Sequence, residues 1–119
     1  MTTLYGIKNC DTVKKARTWL DQNLCEFTFH DFRADALTTA DFESWESAIG
    51  AERLINRRST TWKQLDEEQK TKFNTTPLTA QAKAIVLQKP TLLKRPILKH
   101  KNHIYAGFNA GEYNTIFFN

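Results

Sequence analysis

The sequence TTLYGIKNCDTVKKARTWLDQ, residues 2–22, contains a strand pattern followed directly by a helix pattern. Thr2–Gly6 is a short, mostly apolar run that ends in glycine, which is typical of a buried strand in a small sheet. The strand pattern is followed by residues that commonly cap helices, at positions 9–12. The apolar residues after these have the spacing of one helix face: Val13, Ala16 and Leu20. We therefore predict a helix over about Asp11–Gln22.

The length of the whole chain, 119 residues, predicts one domain, and the order of its elements predicts the α/β class. The alternation in Glu26–Phe32 indicates a second strand, so that the first three elements form a parallel βαβ unit with a right-handed crossover. Further helices are predicted over about Thr39–Ile49, Ala51–Asn56, Asp66–Phe73, Thr79–Gln88 and Ala110–Phe118, with Ser59–Thr61 interrupting the helical region before Trp62. Short strands are predicted at Thr91–Leu93, Pro96–Leu98 and His103–Tyr105, with a polar hairpin turn at Lys99–Asn102. The order is βαβ, a helical insert at about residues 38–88, and ββα, with a small mixed sheet in one domain of residues 1–119.

Composition restricts the class of protein. Apolar residues make up 40% and charged residues 25% of the chain, which is typical of a globular domain. No apolar run approaches the ~18 residues that a bilayer span needs, and the N-terminal residues lack the basic-then-apolar pattern of a signal peptide. Two cysteines without an export signal are typical of free thiols in a reducing compartment, so we expect a cytoplasmic protein with no membrane partner.

Basic residues exceed acidic ones by 17 to 13, and the net charge of +4 is compatible with anionic partners. The basic residues gather in Lys89–Lys101 and Arg53–Lys63. The first cluster fits either an anion-binding surface or a solvated sheet edge that lysines keep soluble. No recognition helix or aromatic sheet motif indicates a nucleic-acid partner, and His30, His100 and His103 lack the spacing of a metal site, so we expect neither.

Cys10 lies in the loop between the predicted first strand and first helix, at or just before the helix N-cap. Unpaired N–H groups and the positive end of the helix dipole converge there, so a thiol in this position ionises more easily than a free one. Lys8 adds a nearby cation, and open α/β sheets bind ligands at this edge. The alternative is a small buried thiol that closes the strand.

No second thiol stands where a dithiol motif needs one, because Val13 occupies the position of the resolving cysteine. Cys25 follows the first helix and is separated from Cys10 by about one helix length (~20 Å), too far for a disulfide. We therefore predict a structural role for Cys25 and an external thiol for any redox cycle.

Arg95-Pro96 stands where a proline opens a strand after a sharp turn, a position in which a cis peptide bond can occur. The arginine presents a planar, permanently charged fork that suits a carboxylate, an oxyanion or a thiolate. The alternative is an exposed arginine on an edge turn.

Four motifs resemble the arsenate reductase-like (ArsC/Spx) family, and within it the YffB-type branch most: Tyr5–Ala16, Leu54–Trp62, Lys94–Ile97 and Gly107-Phe108. They occur in the order of the family and span nearly the whole chain. The resemblance implies a thioredoxin-like fold with a helical insert, in agreement with the order of elements predicted above.

The resemblance also implies roles for individual residues. Cys10 would be the catalytic nucleophile, Pro96 a cis-proline that faces it, and Arg95 a residue that binds the substrate oxyanion. Arg58 matches a basic position of the YffB and Spx branches. The predicted binding site for substrate or thiol comprises Lys8, Asn9, Asp11, Thr12, Arg58, Arg95 and Pro96.

The chain departs from true arsenate reductases at three places. Gly6 stands where they carry a histidine, Asn56 corresponds to an arsenate-binding arginine, and Ala106–Phe108 contains no arginine. Val13 likewise removes the C-x-x-C switch that is usual in Spx-type regulators. These departures count against arsenate as the substrate.

Together these features predict a glutathione-dependent thiol reductase with Cys10 as its single nucleophile and no tightly bound cofactor or metal. Glutathione is the expected co-substrate, and glutathione or a glutaredoxin is expected to release the product by thiol–disulfide exchange. The substrate would be an oxidised small molecule or a protein mixed disulfide. Two alternatives stay open: an Spx-like, non-enzymatic transcription adaptor that binds RNA polymerase, and a true arsenate reductase.

Overall fold

The computed structural model describes residues 1–119, which separate into two structural units. Residues 1–35 and 95–119 form the first unit, and residues 36–94 form the second. The second unit is thus inserted in sequence between the two halves of the first. The predicted insert at about 38–88 falls inside the second unit, while the assignment of the chain to a single domain stays a prediction.

The helices and strands follow the predicted order. In chain order they are β1 (Thr2–Gly6), α1 (Asp11–Gln22), β2 (Thr28–Asp31), α2 (Thr39–Ile49), α3 (Ala51–Leu54), α4 (Thr60–Gln64), α5 (Glu67–Thr71), α6 (Ala80–Gln88), β3 (Ile97–His100), β4 (His103–Ala106) and α7 (Ala110–Phe118). A 3₁₀ turn spans Pro90–Leu92. No helix combines the length and the apolar character that crossing a bilayer requires.

The first unit is built on a four-stranded mixed sheet with the strand order β2-β1-β3-β4. β1 pairs in parallel with β2, and the β1–β3 and β3–β4 pairs are antiparallel. α1 connects the two parallel strands, because parallel neighbours need a crossover. Strands β1 and β3 and helices α1 and α7 supply a fully buried cluster: Leu4, Ala16, Leu20, Leu98 and Tyr113. This arrangement confirms the predicted α/β class and mixed sheet.

Two predictions for the sheet are wrong in their bounds. The second strand covers Thr28–Asp31 rather than Glu26–Phe32, because its register with β1 begins at Thr28 and ends at Asp31. The hairpin turn, predicted over Lys99–Asn102, consists of Lys101 and Asn102 alone, whose φ angles are +49° and +66°. Two consecutive positive φ angles give a two-residue turn that matches the strand twist, so β3 extends to His100 rather than ending at Leu98. β4 begins at His103 as predicted and ends one residue later than predicted, at Ala106.

Two predictions for the second unit are also wrong. Ser59–Thr61 does not interrupt a helix, because the Ser59 hydroxyl accepts the Trp62 N–H (3.1 Å) and thereby caps the start of α4. Thr91–Leu93 is not a strand. Pro90 opens a 3₁₀ turn there, since its fixed φ suits the first position of a helical turn, and only the last residue of the segment forms an isolated β-bridge. Helices α3, α5 and α6 lie inside their predicted ranges.

Tyr113 in α7 is completely buried, yet its hydroxyl has no hydrogen-bond partner. The ring packs edge-on against Trp19 and Phe108, with centroid separations of 5.6 Å and 4.8 Å. Burial raises the pKa of the hydroxyl far above its ordinary value, so it stays protonated at every physiological pH. Burial of this hydroxyl on folding therefore costs free energy that no hydrogen bond offsets.

Replacing Tyr113 with phenylalanine is expected to raise the free energy of unfolding by about 1 kcal/mol, because the variant keeps the ring contacts and removes the unpaired hydroxyl. Urea denaturation followed by tryptophan fluorescence measures the change. A loss of stability of the same size would show that the hydroxyl has a partner in solution.

Candidate functional site

β1 ends in a tight corner that places Cys10 at the start of α1. The Cys10 N–H donates to the Ile7 carbonyl oxygen (3.2 Å) and closes the turn, while the Cys10 carbonyl accepts the Lys14 N–H (2.9 Å) as the first bond of the helix. Cys10 has extended backbone angles and is the N-cap of α1. Its side chain is half-buried, so the thiol is not sealed inside the strand–helix junction.

Cys10 differs from the residues that begin every other α-helix except the four-residue α3. The N-caps of α2, α4, α5, α6 and α7 each accept a first-turn N–H through a side-chain oxygen: Thr38, Ser59, Asp66, Thr79 and Asn109. The Cys10 side chain makes no capping bond. The first turn of α1 therefore keeps its N–H groups without a capping side chain, and these groups leave a partial positive charge beside the thiol.

Arg95 and Pro96 lie at the same end of the sheet as this corner. β3 runs antiparallel to β1 with Tyr5 opposite Ile97, so the start of β3 meets the end of β1. The Arg95-Pro96 peptide bond is cis, as the resemblance implies. Pro96 is buried, and its carbonyl accepts the Gly107 N–H (2.8 Å) from the end of β4.

The Arg95 side chain is half-buried rather than exposed on an edge turn. It takes part in no ion pair, because all three ion pairs of the protein involve Lys70 or Lys83. Its guanidinium also forms no hydrogen bond. A guanidinium that is partly withdrawn from water and has no carboxylate partner is available to an anion.

Four more of the predicted site residues flank Cys10 in the first unit, all of them exposed: Lys8 and Asn9 in the turn before it, and Asp11 and Thr12 in the first turn of α1. The structure thus groups these four with Cys10, Arg95 and Pro96 at one end of the first unit. Their individual roles stay predictions.

Arg58 belongs to the second unit, where its side chain is exposed. Its backbone N–H donates to Asn56 Oδ1 (3.0 Å), while its guanidinium has no partner. The neighbouring Arg57 is held in place, since its Nη2 donates to the Phe73 carbonyl (3.3 Å) and its guanidinium lies 4.9 Å from the Trp62 ring centroid. Of the two arginines, only Arg58 is unengaged, and its role stays a prediction.

Gly6, the last residue of β1, marks a very close approach of the strand to α1. A Cβ atom here would lie 2.7 Å from Cγ2 and 3.1 Å from Cγ1 of Val13. Val13 is completely buried and β-branched, so it cannot turn aside at low cost. The histidine that the resemblance assigns to this position in arsenate reductases is therefore sterically incompatible with valine at position 13. Sequence reasoning noted both residues but had no signal for their contact.

Replacing Gly6 with alanine is expected to lower the free energy of unfolding by about 1–3 kcal/mol, the usual cost of overpacking a core. Chemical denaturation measures it. In the double variant Gly6→Ala/Val13→Ala the loss should be smaller than the sum of the two single losses, because removal of the valine methyl groups relieves the clash. Strictly additive losses would show that the two side chains do not compete for space.

Cys25 lies at the opposite end of α1, before β2, and its Sγ donates to the Asn23 carbonyl (3.6 Å). Burial raises the pKa of the Cys25 thiol above its ordinary value, so the thiol stays protonated at neutral pH. Both cysteines of the chain are free. Cys25 is therefore an internal comparison for Cys10 in the same molecule.

The first unit combines a βαβ motif and a ββα motif in one mixed sheet, with a cysteine at the first helix N-cap and a cis-proline at the start of the adjacent strand. These features define the thioredoxin-like class of folds. The chain belongs to the ArsC family, whose sequence model matches residues 5–116.

Relatives of the chain cover almost its whole length. A protein of Haemophilus influenzae described as uncharacterized is 43% identical over 117 residues, which are 98% of this chain and 99% of the relative. The global transcriptional regulator Spx 2 of Lactococcus lactis is 30% identical over 94% of this chain and 83% of its own length. The solved structure of the YFFB (PA3664) protein is 38% identical, has a TM-score of 0.84 and covers 97% of both chains. The family implied by the sequence motifs is thus confirmed.

Proposed function

We propose that the protein is a thiol-dependent reductase in which Cys10 is the only nucleophile and glutathione regenerates it. The observation that supports this most is the N-cap of α1. Among the four helices of nine or more residues, α1 alone begins with a residue whose side chain makes no capping bond. A half-buried thiol that is not used for capping is free to react.

Positive charge around Cys10 would stabilise negative charge on the reacting sulfur atoms. The Lys8 ammonium group and the N-terminus of α1 supply it after the end of β1, and the unpaired Arg95 supplies it just before the start of β3. The N–H groups at the helix N-terminus are held by the backbone, so they need little reorganisation during the reaction. Asn9, Asp11 and Thr12 are proposed to contact the substrate or glutathione at the exposed rim of the same site.

The proposed reaction exchanges disulfides in two steps. The Cys10 thiolate attacks the glutathione sulfur of a mixed disulfide, R–S–S–G, so that a Cys10–glutathione disulfide forms, the original S–S bond breaks, and R–S⁻ leaves and takes up a proton. A second glutathione thiolate then attacks the glutathione sulfur of the adduct. This step releases oxidised glutathione and returns the Cys10 thiolate, so the two electrons that reduce the substrate come from glutathione.

The surroundings of Cys10 support the use of a thiol from outside the protein. Position 13, where a dithiol motif would place the resolving cysteine, holds a buried valine packed against Gly6. Cys25 lies beyond the far end of α1. Neither position supplies a thiol to the Cys10 adduct, which supports glutathione or a glutaredoxin as the resolving partner.

Incubation of the reduced protein with oxidised glutathione tests this proposal. Peptide mapping by mass spectrometry is expected to find one glutathionyl group on Cys10 and none on Cys25, and added reduced glutathione should remove it. An adduct confined to Cys25, or no adduct at all, would overturn the proposal.

The similarity to the Lactococcus lactis regulator supports a second candidate function, an adaptor that binds RNA polymerase without catalysis. The exposed, unpaired Arg58 in the second unit would then contact the partner. In a pull-down with purified RNA polymerase, an adaptor should retain binding in Cys10→Ser and lose it in Arg58→Ala. Absence of binding by the unmodified protein rejects this candidate.

A further inference from the structure

The second unit contains a cavity of about 580 Å³ that is lined by hydrogen-bond donors from two distant parts of the chain. Its lining residues are Glu52, Ile55, Asn56, Arg57, Arg58 and Lys94. The volume lies within the range of about 300–1,000 Å³ that is usual for small-molecule sites.

Backbone pairing holds the two sides of the cavity together. Ile55 and Leu93 form an antiparallel β-bridge. On either side of it, the Asn56 N–H donates to the Leu92 carbonyl (2.8 Å) and the Lys94 N–H donates to the Leu54 carbonyl (2.7 Å). The bridge fixes the backbone of Lys94 beside residues 54–56, so the two backbone segments that line the cavity are held together before a ligand binds.

The charges of the lining are not balanced within the chain. The lining contains three cations, Arg57, Arg58 and Lys94, and a single carboxylate, Glu52, which gives a formal charge of +2 (3 − 1 = 2). None of these four residues takes part in an ion pair. Arg57 is tethered by Phe73, whereas the side chains of Arg58 and Lys94 make no hydrogen bond.

Asn56 adds a further donor. Its Oδ1 accepts the Arg58 N–H (3.0 Å), and its carbonyl accepts both the N–H and the hydroxyl of Ser59 (3.1 Å and 2.7 Å). The side-chain amide of Asn56 also carries two N–H groups that are able to donate to an anion.

We propose that this cavity binds the dianionic phosphate group of a small molecule. The guanidinium fork of Arg58 matches two phosphate oxygens, and the Lys94 ammonium adds a point charge. A dianion neutralises the lining charge of +2, whereas a monocarboxylate leaves it half compensated. This proposal goes beyond the function proposed for Cys10 and does not rest on it.

A titration of the ¹⁵N-labelled protein with inorganic phosphate at pH 7.5 and constant ionic strength tests the proposal. Saturable shifts are expected at the amides of residues 56–58 and 94. Arg58→Gln and Lys94→Gln should each raise Kd at least about fivefold, because each removes a charged hydrogen-bond donor. Lys63→Gln makes the same charge change on an exposed residue of the same unit outside the cavity, and it should change Kd by less than about twofold.

Titrations with two other ligands and with one more variant distinguish a phosphate site from a general attraction of anions and from the Cys10 site. Glycerol 3-phosphate is expected to bind at least as tightly as inorganic phosphate, and acetate at least about fivefold more weakly, because it carries one charge. Cys10→Ser should leave the phosphate Kd unchanged, so that loss of the thiol function and loss of this site are distinguishable. Shifts that do not saturate, equal binding of acetate, or an equal effect of Lys63→Gln would overturn the proposal.

Discussion

Replacing Cys10 with serine is expected to reduce turnover of a glutathione mixed disulfide by at least about 10³-fold, because a serine hydroxyl is a poor nucleophile and cannot form the disulfide intermediate. The assay couples formation of oxidised glutathione to glutathione reductase and follows consumption of NADPH. The variant should fold normally, since the Cys10 side chain makes no capping bond that the substitution removes.

Cys25→Ser is the matched control for this prediction. It makes the same substitution at the other free thiol, and it should retain turnover within about twofold because Cys25 lies at the far end of α1. Equal rates for the unmodified protein and Cys10→Ser would remove the enzymatic function. Loss of activity in Cys25→Ser alone would place the chemistry at the wrong end of the helix.

Replacing Arg95 with glutamine is expected to lower kcat/KM for the same substrate by about 10–100-fold, a usual effect of removing one group that stabilises developing negative charge. The half-buried guanidinium has no partner within the protein, so we expect its charge to stabilise the thiolate that leaves or the glutathione that binds. Glutamine keeps a hydrogen-bond donor and most of the side-chain length but removes the charge. The free energy of unfolding should change little, because no ion pair is broken.

Lys99→Gln provides the comparison for Arg95→Gln. Lys99 is a half-buried cation in β3 itself, placed opposite Thr3 near the other end of β1. An effect of the overall charge would appear equally in both variants, whereas an effect of position would appear only in Arg95→Gln. A loss below about twofold for Arg95→Gln would contradict a role for this guanidinium in the reaction.

Local patterns were sufficient to predict the elements whose hydrophobic period is complete within them. The bounds of β1, α1, α2 and α7 agree with the prediction, because each has capping or terminating residues next to its apolar face. The errors arose where distant partners decide the conformation. An apolar run such as Thr91–Leu93 does not show whether a second strand is present to pair with it, and here only Leu93 finds a partner, Ile55.

The candidate site was predictable to a similar extent. Cys10 and Arg95 were selected from capping and turn chemistry, and the pairing of β1 with β3 then brings their segments to one end of the sheet. The contact between Gly6 and Val13, and the grouping of Lys94 with Arg58 around one cavity, depend on distances in space that no local pattern contains. Sequence spacing indicates which groups are available, but the long-range pairing decides which of them meet.

The relative alkylation rates of the two cysteines test the reactivity assigned to Cys10. Iodoacetamide at pH 7, followed by mass spectrometry of the two cysteine peptides, is expected to modify Cys10 at least about tenfold faster than Cys25. Burial raises the pKa of the Cys25 thiol, so Cys25 should gain reactivity only as the pH rises into the alkaline range, and the difference between the two thiols should then shrink. Equal rates at pH 7, or faster modification of Cys25, would contradict the account.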